Sequence, residues 1–261
     1  MNYLTRTQLL FIFLFVVINA TLFVNSVDST PYPDGPYLNA TYHSAADGQR
    51  YWGVALNLIE KGEFSIPQLW DSRPDTPLAR SGPLSPLIFA LFIKLCGFDN
   101  APLLIVIFQC MLLYVMSLLG RRLAVPFSSH QTLVQILILF NPNLIGLAHH
   151  AQSDIIFAFI FTVILYLINR ILITPHNISR TSFLLLGGLT GLLCLTRHIG
   201  LMFSIVLPIA LAISLCFHLD RKTLPVKTII IGACTATLVF LIVVFPWSVR
   251  NYLTFQVFSP V

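Results

Sequence analysis

Seven apolar runs set the terms for this chain: Leu9–Val24, Ala101–Leu119, Gln131–Leu147, Ile155–Ile173, Ser182–Thr196, Ile199–Leu219 and Thr228–Pro246. A helix of about 20 apolar residues matches the hydrocarbon thickness of a bilayer and satisfies its backbone groups internally. Composition points the same way, with 56% hydrophobic and 10% charged residues, whereas soluble domains carry about a quarter charged. The expected fold is an all-α integral membrane protein of about seven transmembrane helices, with the lipid bilayer as its first partner. The net charge of +5 does not indicate nucleic acid, because the basic residues stand singly or in pairs beside apolar runs, as topology signals do. The five cysteines lie within or at the edge of apolar segments without metal-ligand spacing, so they read as small buried hydrophobes. Walker, dinucleotide-binding and HExxH motifs are absent from the sequence, and no cofactor is expected.

Three regions follow. Residues 1–24 form a first transmembrane helix. Ala20 and Ser26 would suit a cleaved leader, but the run is long and its basic flank is Arg6 alone. Residues 25–100 form a long loop holding eight of the ten acidic residues: Asp28, Asp34, Asp47, Glu60, Glu63, Asp71, Asp75 and Asp99. Residues 101–261 form a six-helix transmembrane region with a short tail. With the amino end inside and Pro83–Leu95 kept out of the span count, the basic loops sort to one side. Arg121, Arg122, Arg170, Arg180, Arg221, Lys222 and Lys227 fall in the cytoplasm. The long loop, His149–Asp154, Thr196–His198 and the tail from Pro246 fall outside. At about 13 residues Pro83–Leu95 is too short to span and reads as an interfacial or re-entrant helix.

Within the loop, Ala45–Gly62 has the spacing of an amphipathic surface helix. Asp47, Arg50 and Tyr51 share one face at i, i+3 and i+4, Tyr51, Ala55, Leu58 and Ile59 continue an apolar stripe, and Lys61-Gly62 reads as its stop. Asp47 could serve as a helix cap, since a carboxylate is favoured beside free N–H groups. The topology also brings Asp47, Arg80, His149, His150, Asp154, Arg197, His198 and Arg250 to the outer face. Acidic and basic groups from distant parts of a chain meeting at a membrane boundary suggest a site, although single arginines there serve equally as interfacial anchors. His149, His150 and Asp154 include metal-ligand types, but adjacent histidines on a helix point about 100° apart, so no metal is expected.

These residues resemble a known family. Asp47-Gly-Gln-Arg50-Tyr51, with Ala55, Leu58 and Gly62-Glu-Phe64-Ser65, is similar to the first outer loop of the GT-C membrane glycosyltransferases. The closest resemblance is to the branch holding protein O-mannosyltransferases and lipid A aminoarabinose transferases. Arg80-Ser-Gly-Pro83-Leu84-Ser-Pro86-Leu87, Asn141-Pro142, Ser153-Asp154, Leu195-Thr196-Arg197 and Pro246-Trp247-Ser-Val-Arg250-Asn251-Tyr252 follow in the family's order. The Arg80 element carries one residue more than the usual basic-Pro-Pro run, and family members continue through further spans beyond the point where this sequence stops.

The resemblance implies transfer of a sugar from a polyprenyl-phosphate donor to a hydroxyl or phosphate of a glycan, lipid or protein acceptor. The site would face the outside of a bacterial inner membrane or the lumen of the endoplasmic reticulum. It implies Asp47 as the catalytic carboxylate, with Arg50, Tyr51, Arg80, Asp154, Arg197 and Arg250 as substrate-binding residues. Arginine suits a lipid-phosphate leaving group because its planar fork meets phosphate oxygens in pairs. The alternative is a non-enzymatic protein: an inactive truncated paralogue, a transporter or a lipid-binding protein. Asn39-Ala-Thr41 is a sequon on the outer side, usable only in a eukaryotic secretory pathway.

Overall fold

The computed structural model describes residues 6–26, 46–66, 76–77, 82–98, 100–126, 129–173, 179–204, 209 and 226–259. In chain order these form α1 (Arg6–Ser26), α2 (Ala46–Glu60), β1 (Ser65–Ile66), β2 (Thr76–Pro77), α3 (Leu84–Cys96), α4 (Ala101–Ala124), α5 (Gln131–Leu139), α6 (Pro142–Ala148), α7 (Asp154–Ile173), α8 (Arg180–Thr196) and α9 (Val226–Phe255). Arg80, Trp70, Asn39, Arg221 and Lys222 lie outside the described residues, as does most of the expected span Ile199–Leu219.

The chain is helical and made for a membrane. By length and composition Ala101–Ala124, Asp154–Leu172 and Ile230–Phe255 are long and apolar enough to cross one, and the bent pair α5–α6 raises the number to four. The expected runs at Leu9–Val24 and Ser182–Thr196 are also helical, but their apolar helices, Gln8–Val24 and Arg180–Thr196, belong to a shorter class of 10–17 residues.

Two expectations need correction. Gln131–Leu147 is not one continuous helix: α5 and α6 meet at 48°. Asn141 leaves the helical region (φ −67°, ψ 118°) and its side chain accepts from the N–H groups of Asn143 (3.0 Å) and Leu144 (3.2 Å). Pro142 then occupies the first helical position, where its missing N–H has no partner to lose. The last helix does not stop at Pro246. It runs on to Phe255, so the expected outer tail is largely helical and carries Arg250 on its last turns. The all-helical expectation holds, and beside the helices β1 pairs antiparallel with β2, Ser65 opposite Pro77 and Ile66 opposite Thr76. Two residues per strand leave no alternation for a sequence pattern to reveal.

α2 follows its apolar stripe. Tyr51, Trp52 and Ala55 bury against Phe89, Ala90 and Ile93 of α3. The Trp52 ring meets Phe89 at 6.4 Å and Phe98 at 5.5 Å between centroids, aromatic pairs of the kind that contribute about 0.5–1.5 kcal/mol beyond their buried area. Gly62 (φ +70°) ends the segment in the left-handed region. Asn57 then donates to the Ser65 carbonyl (3.3 Å) and hydroxyl (3.0 Å), tying β1 back to α2. A second cluster of Phe11, Phe15, Leu113, Met116, Leu139, Ile145, Ala148 and Ile155 holds α1 against α4, α5, α6 and α7. The face of α3 turned away from α2 is apolar as well, with Leu87, Leu91 and Leu95 exposed, as suits a helix in contact with lipid.

α8 and α9 pack along small residues. A Cβ placed on Gly187 would fall on the Ala236 carbonyl, and one on Gly191 would lie 2.7 Å from Val243 Cβ. Close approach of this kind replaces the hydrophobic drive that lipid does not provide between helices. At Gly188 a Cβ would meet only Val239 Cγ1 at 3.9 Å. Gly187→Ala is therefore expected to destabilise by about 1–3 kcal/mol, an overpacking cost. Gly188→Ala should be neutral or slightly stabilising through its helix propensity. Thermal unfolding of the two variants in one detergent compares them directly, and equal losses would contradict this packing.

Candidate functional site

The connection between α6 and α7, His149 to Ser153, is largely buried although it is not helical: His149, Ala151 and Ser153 are buried, and His150 and Gln152 are half-buried. Irregular backbone at such depth survives only when the surrounding protein satisfies its polar groups. Here several other elements share that task.

α1 contributes Asn19. Its amide nitrogen donates to the Phe15 carbonyl (2.7 Å), so its oxygen faces outward as an acceptor, 3.0 Å from His149 Nε2 and 3.3 Å from the Cys110 thiol. Because that oxygen can only accept, Nε2 carries the proton and neutral His149 has a bare Nδ1. α4 contributes Gln109, fully buried, whose Nε2 donates to the His150 carbonyl at 3.0 Å. α2 contributes Tyr51, whose hydroxyl lies 3.1 Å from Ser153 Oγ.

The fourth tie is ionic. Asp154 opens α7 and its carboxylate pairs with Arg197, the first residue past α8. An acidic group in the first turn also suits the positive end of the α7 dipole. At Arg197 the backbone is extended (φ −150°, ψ 150°), and the chain turns back through hydrogen bonds from Gly200 to the Arg197 carbonyl (2.8 Å) and from Leu201 to the His198 carbonyl (3.0 Å). Both side chains are about a third exposed (34% and 31%), so water screens the pair and a ligand can reach it. Gly82 is seated beside this corner. A Cβ there would fall on the Leu195 carbonyl and crowd Thr196, so only glycine lets the backbone just before α3 approach so closely.

The expected site residues are distributed as follows. Asp47 is the second residue of α2, in its first turn; its side chain is not among those described. Arg50 is half-buried one turn on, and Tyr51 is buried against Ser153. Asp154 and Arg197 are in contact. Arg250 lies near the end of α9, where Nη2 donates to the Phe64 carbonyl (2.9 Å) and Nη1 to Asn251 Oδ1 (3.1 Å). The rings of Trp247, Phe255 and Phe64 lie 4.8, 5.2 and 5.4 Å from its guanidinium carbon, a cation–π arrangement. These contacts latch α9 to the segment after α2. Among the described residues no group of three or more His, Cys, Asp or Glu side chains is placed to hold a metal ion.

Asn19 and Gln109 were not anticipated as part of this junction. A signal was present, since each is a lone amide inside an apolar run, where a polar side chain needs a partner. Compared with family models, with curated proteins and with solved structures, the chain matches none.

Burial holds the His149 pKa below its ordinary value near 6.5, and the nearby His150 lowers it further. Between the lowered folded pKa and the ordinary one, the unfolded chain binds more protons than the folded one, so stability falls as pH falls. The contribution is complete above about pH 6.5 and is lost as acid reaches the folded pKa. His149→Gln retains an N–H donor for Asn19 and does not titrate. Thermal unfolding between about pH 7.5 and 5 should show a steeper acid loss in the native chain than in this variant; parallel curves would mean that His149 is not held neutral.

Proposed function

We propose that this chain is a membrane glycosyltransferase, or the amino-terminal part of one, that moves a sugar from a polyprenyl-phosphate donor to a hydroxyl or phosphate acceptor on the outer or lumenal face. The observation that carries the reading is the Asp154–Arg197 pair with the acidic head of α2 docked beside it through Tyr51 and Ser153. A partly exposed guanidinium and its carboxylate partner, with two hydroxyls beside them, then share one end of an apolar bundle, where a lipid-borne phosphate would arrive. The resemblance of Asp47–Tyr51, Ser153-Asp154 and Leu195–Arg197 to the GT-C enzymes supports the same assignment.

In this reading Asp47 orients or deprotonates the acceptor, and Arg197 offers the N–H groups left over from Asp154 to the departing phosphate, whose growing charge such donors stabilise. Arg80 joins the phosphate-binding set by the resemblance alone, two residues before Gly82 in the sequence. Arg250 acts from its aromatic latch, holding the segment after α2 and with it the pose of Asp47. The topology that goes with the reading is seven spans with the amino end in the cytoplasm. A second reading, a transporter or lipid-binding protein without turnover, draws on the break between α5 and α6, since discontinuous helices commonly line transport sites. It gives no reason for an acidic surface helix tied to the α7 head.

Two experiments bear on this. Asp47→Asn is nearly isosteric and should lower transfer from labelled polyprenyl-phosphate sugars in membranes by about 100-fold or more while leaving expression intact; undiminished transfer would remove Asp47 from the chemistry. For topology, Glu63→Cys and Arg122→Cys, both at exposed positions, are placed singly in a cysteine-free background. An impermeant maleimide added outside intact cells or vesicles of native orientation should label the first and spare the second, and the reverse pattern would invert the proposed membrane orientation.

A further inference from the structure

The α6–α7 connection leaves two acceptors bare. Asn19 fixes the His149 proton on Nε2, so Nδ1 presents a lone pair. The His150 carbonyl can only accept, which fixes the Gln109 amide with its nitrogen toward that carbonyl and its Oε1 turned away. Gln109 is fully buried and His149 is 4% exposed, and neither His149 Nδ1 nor Gln109 Oε1 meets a donor among the described residues. A buried acceptor left without a donor is costly, and here two such atoms lie on residues tied to the same connection. Gln109 and Cys110 are adjacent on α4, one gripping the His150 carbonyl and the other sharing Asn19 Oδ1 with His149.

We propose that this corner is a binding site for a hydroxyl, which donates to His149 Nδ1 and belongs to a water or to a sugar hydroxyl of a bound ligand, with Gln109 Oε1 receiving its second hydrogen or a neighbouring hydroxyl. Cations with a stronger claim on two neutral acceptors, such as ammonium, are disfavoured beside an imidazole that burial already keeps uncharged. A water suits a polar corner with two to four partners. A sugar suits it equally, because vicinal hydroxyls donate in pairs. The inference goes beyond the transferase reading and does not need turnover to be tested.

The test uses the full chain in phosphatidylcholine nanodiscs with 15N-labelled histidine side chains, His149 being assigned by the resonance lost in His149→Gln. A bare imidazole nitrogen resonates at high frequency, and a hydrogen bond to its lone pair moves it to lower frequency. Three samples are compared: the native chain, Gln109→Glu, whose neutral acid keeps one donor and one acceptor, and Gln109→Met, which keeps neither. The expected result is a shifted Nδ1 in the native chain and in Gln109→Glu, moving toward the bare position in Gln109→Met. Exchange with the water resonance in ligand-free discs assigns the hydroxyl to water. A shift that arises only on adding polyprenyl-phosphate mannose assigns it to the sugar. A bare Nδ1 under both conditions overturns the proposal, as does a shift in ligand-free discs without water exchange, which would place the donor on the chain itself. The native spectra decide the matter even if Gln109→Met does not fold.

Discussion

A short buried stretch of irregular backbone in an apolar bundle must have every polar group answered, and the arrangement of this protein follows from that constraint at His149–Asp154. Asn19 answers from α1, Gln109 from α4, Tyr51 from α2 and Arg197 from the turn after α8. The two apolar clusters meet at this connection, Ala148 belonging to one and Ala151 to the other. Without the polar ties, the clusters would be free to slide on each other, because apolar contacts are non-directional. Each hydrogen bond adds about 1 kcal/mol net. Their larger effect is to exclude other registers, in which buried donors and acceptors would stand alone at higher cost.

The same economy explains the placement of the candidate site. Backbone that has left the helix exposes groups able to meet a ligand, and the ties that stabilise it converge from several elements on one spot. A carboxylate and a guanidinium a third exposed lie at the rim of this junction, where they keep access to water while their positions are held by buried neighbours. The residues around α7 that a ligand would meet are thus the ones whose contacts hold the junction together.

What was legible in the sequence was whatever repeats. The helical stripe from Tyr51 to Ile59 and the stop at Gly62 predicted α2 to within a residue or two, and apolar runs located α1, α4, α7 and α8. Contacts between distant residues were not legible, because nothing local encodes them: Tyr51 with Ser153, Gly82 with Leu195, Arg250 with Phe64. Local chemistry did signal the break at Asn141-Pro142, where a capping side chain precedes a residue without an N–H, yet the surrounding hydrophobicity reads as one run. Pro246 misled in the opposite direction. A proline removes one helical hydrogen bond, but in a membrane helix its neighbours can absorb that loss, and α9 continues for nine residues beyond it.

That continuation makes α9 a lever. Thirty residues of helix reach about 45 Å, half as long again as a hydrocarbon layer of about 30 Å. A helix with such excess length leans, and the angle of lean changes with the thickness of the surrounding lipid. Its far end grips the Phe64 carbonyl through Arg250, and Phe64 belongs to the segment that Asn57 binds to α2 through Ser65. Bilayer thickness thus has a mechanical route, through one guanidinium and three rings, to the helix whose first turn holds Asp47.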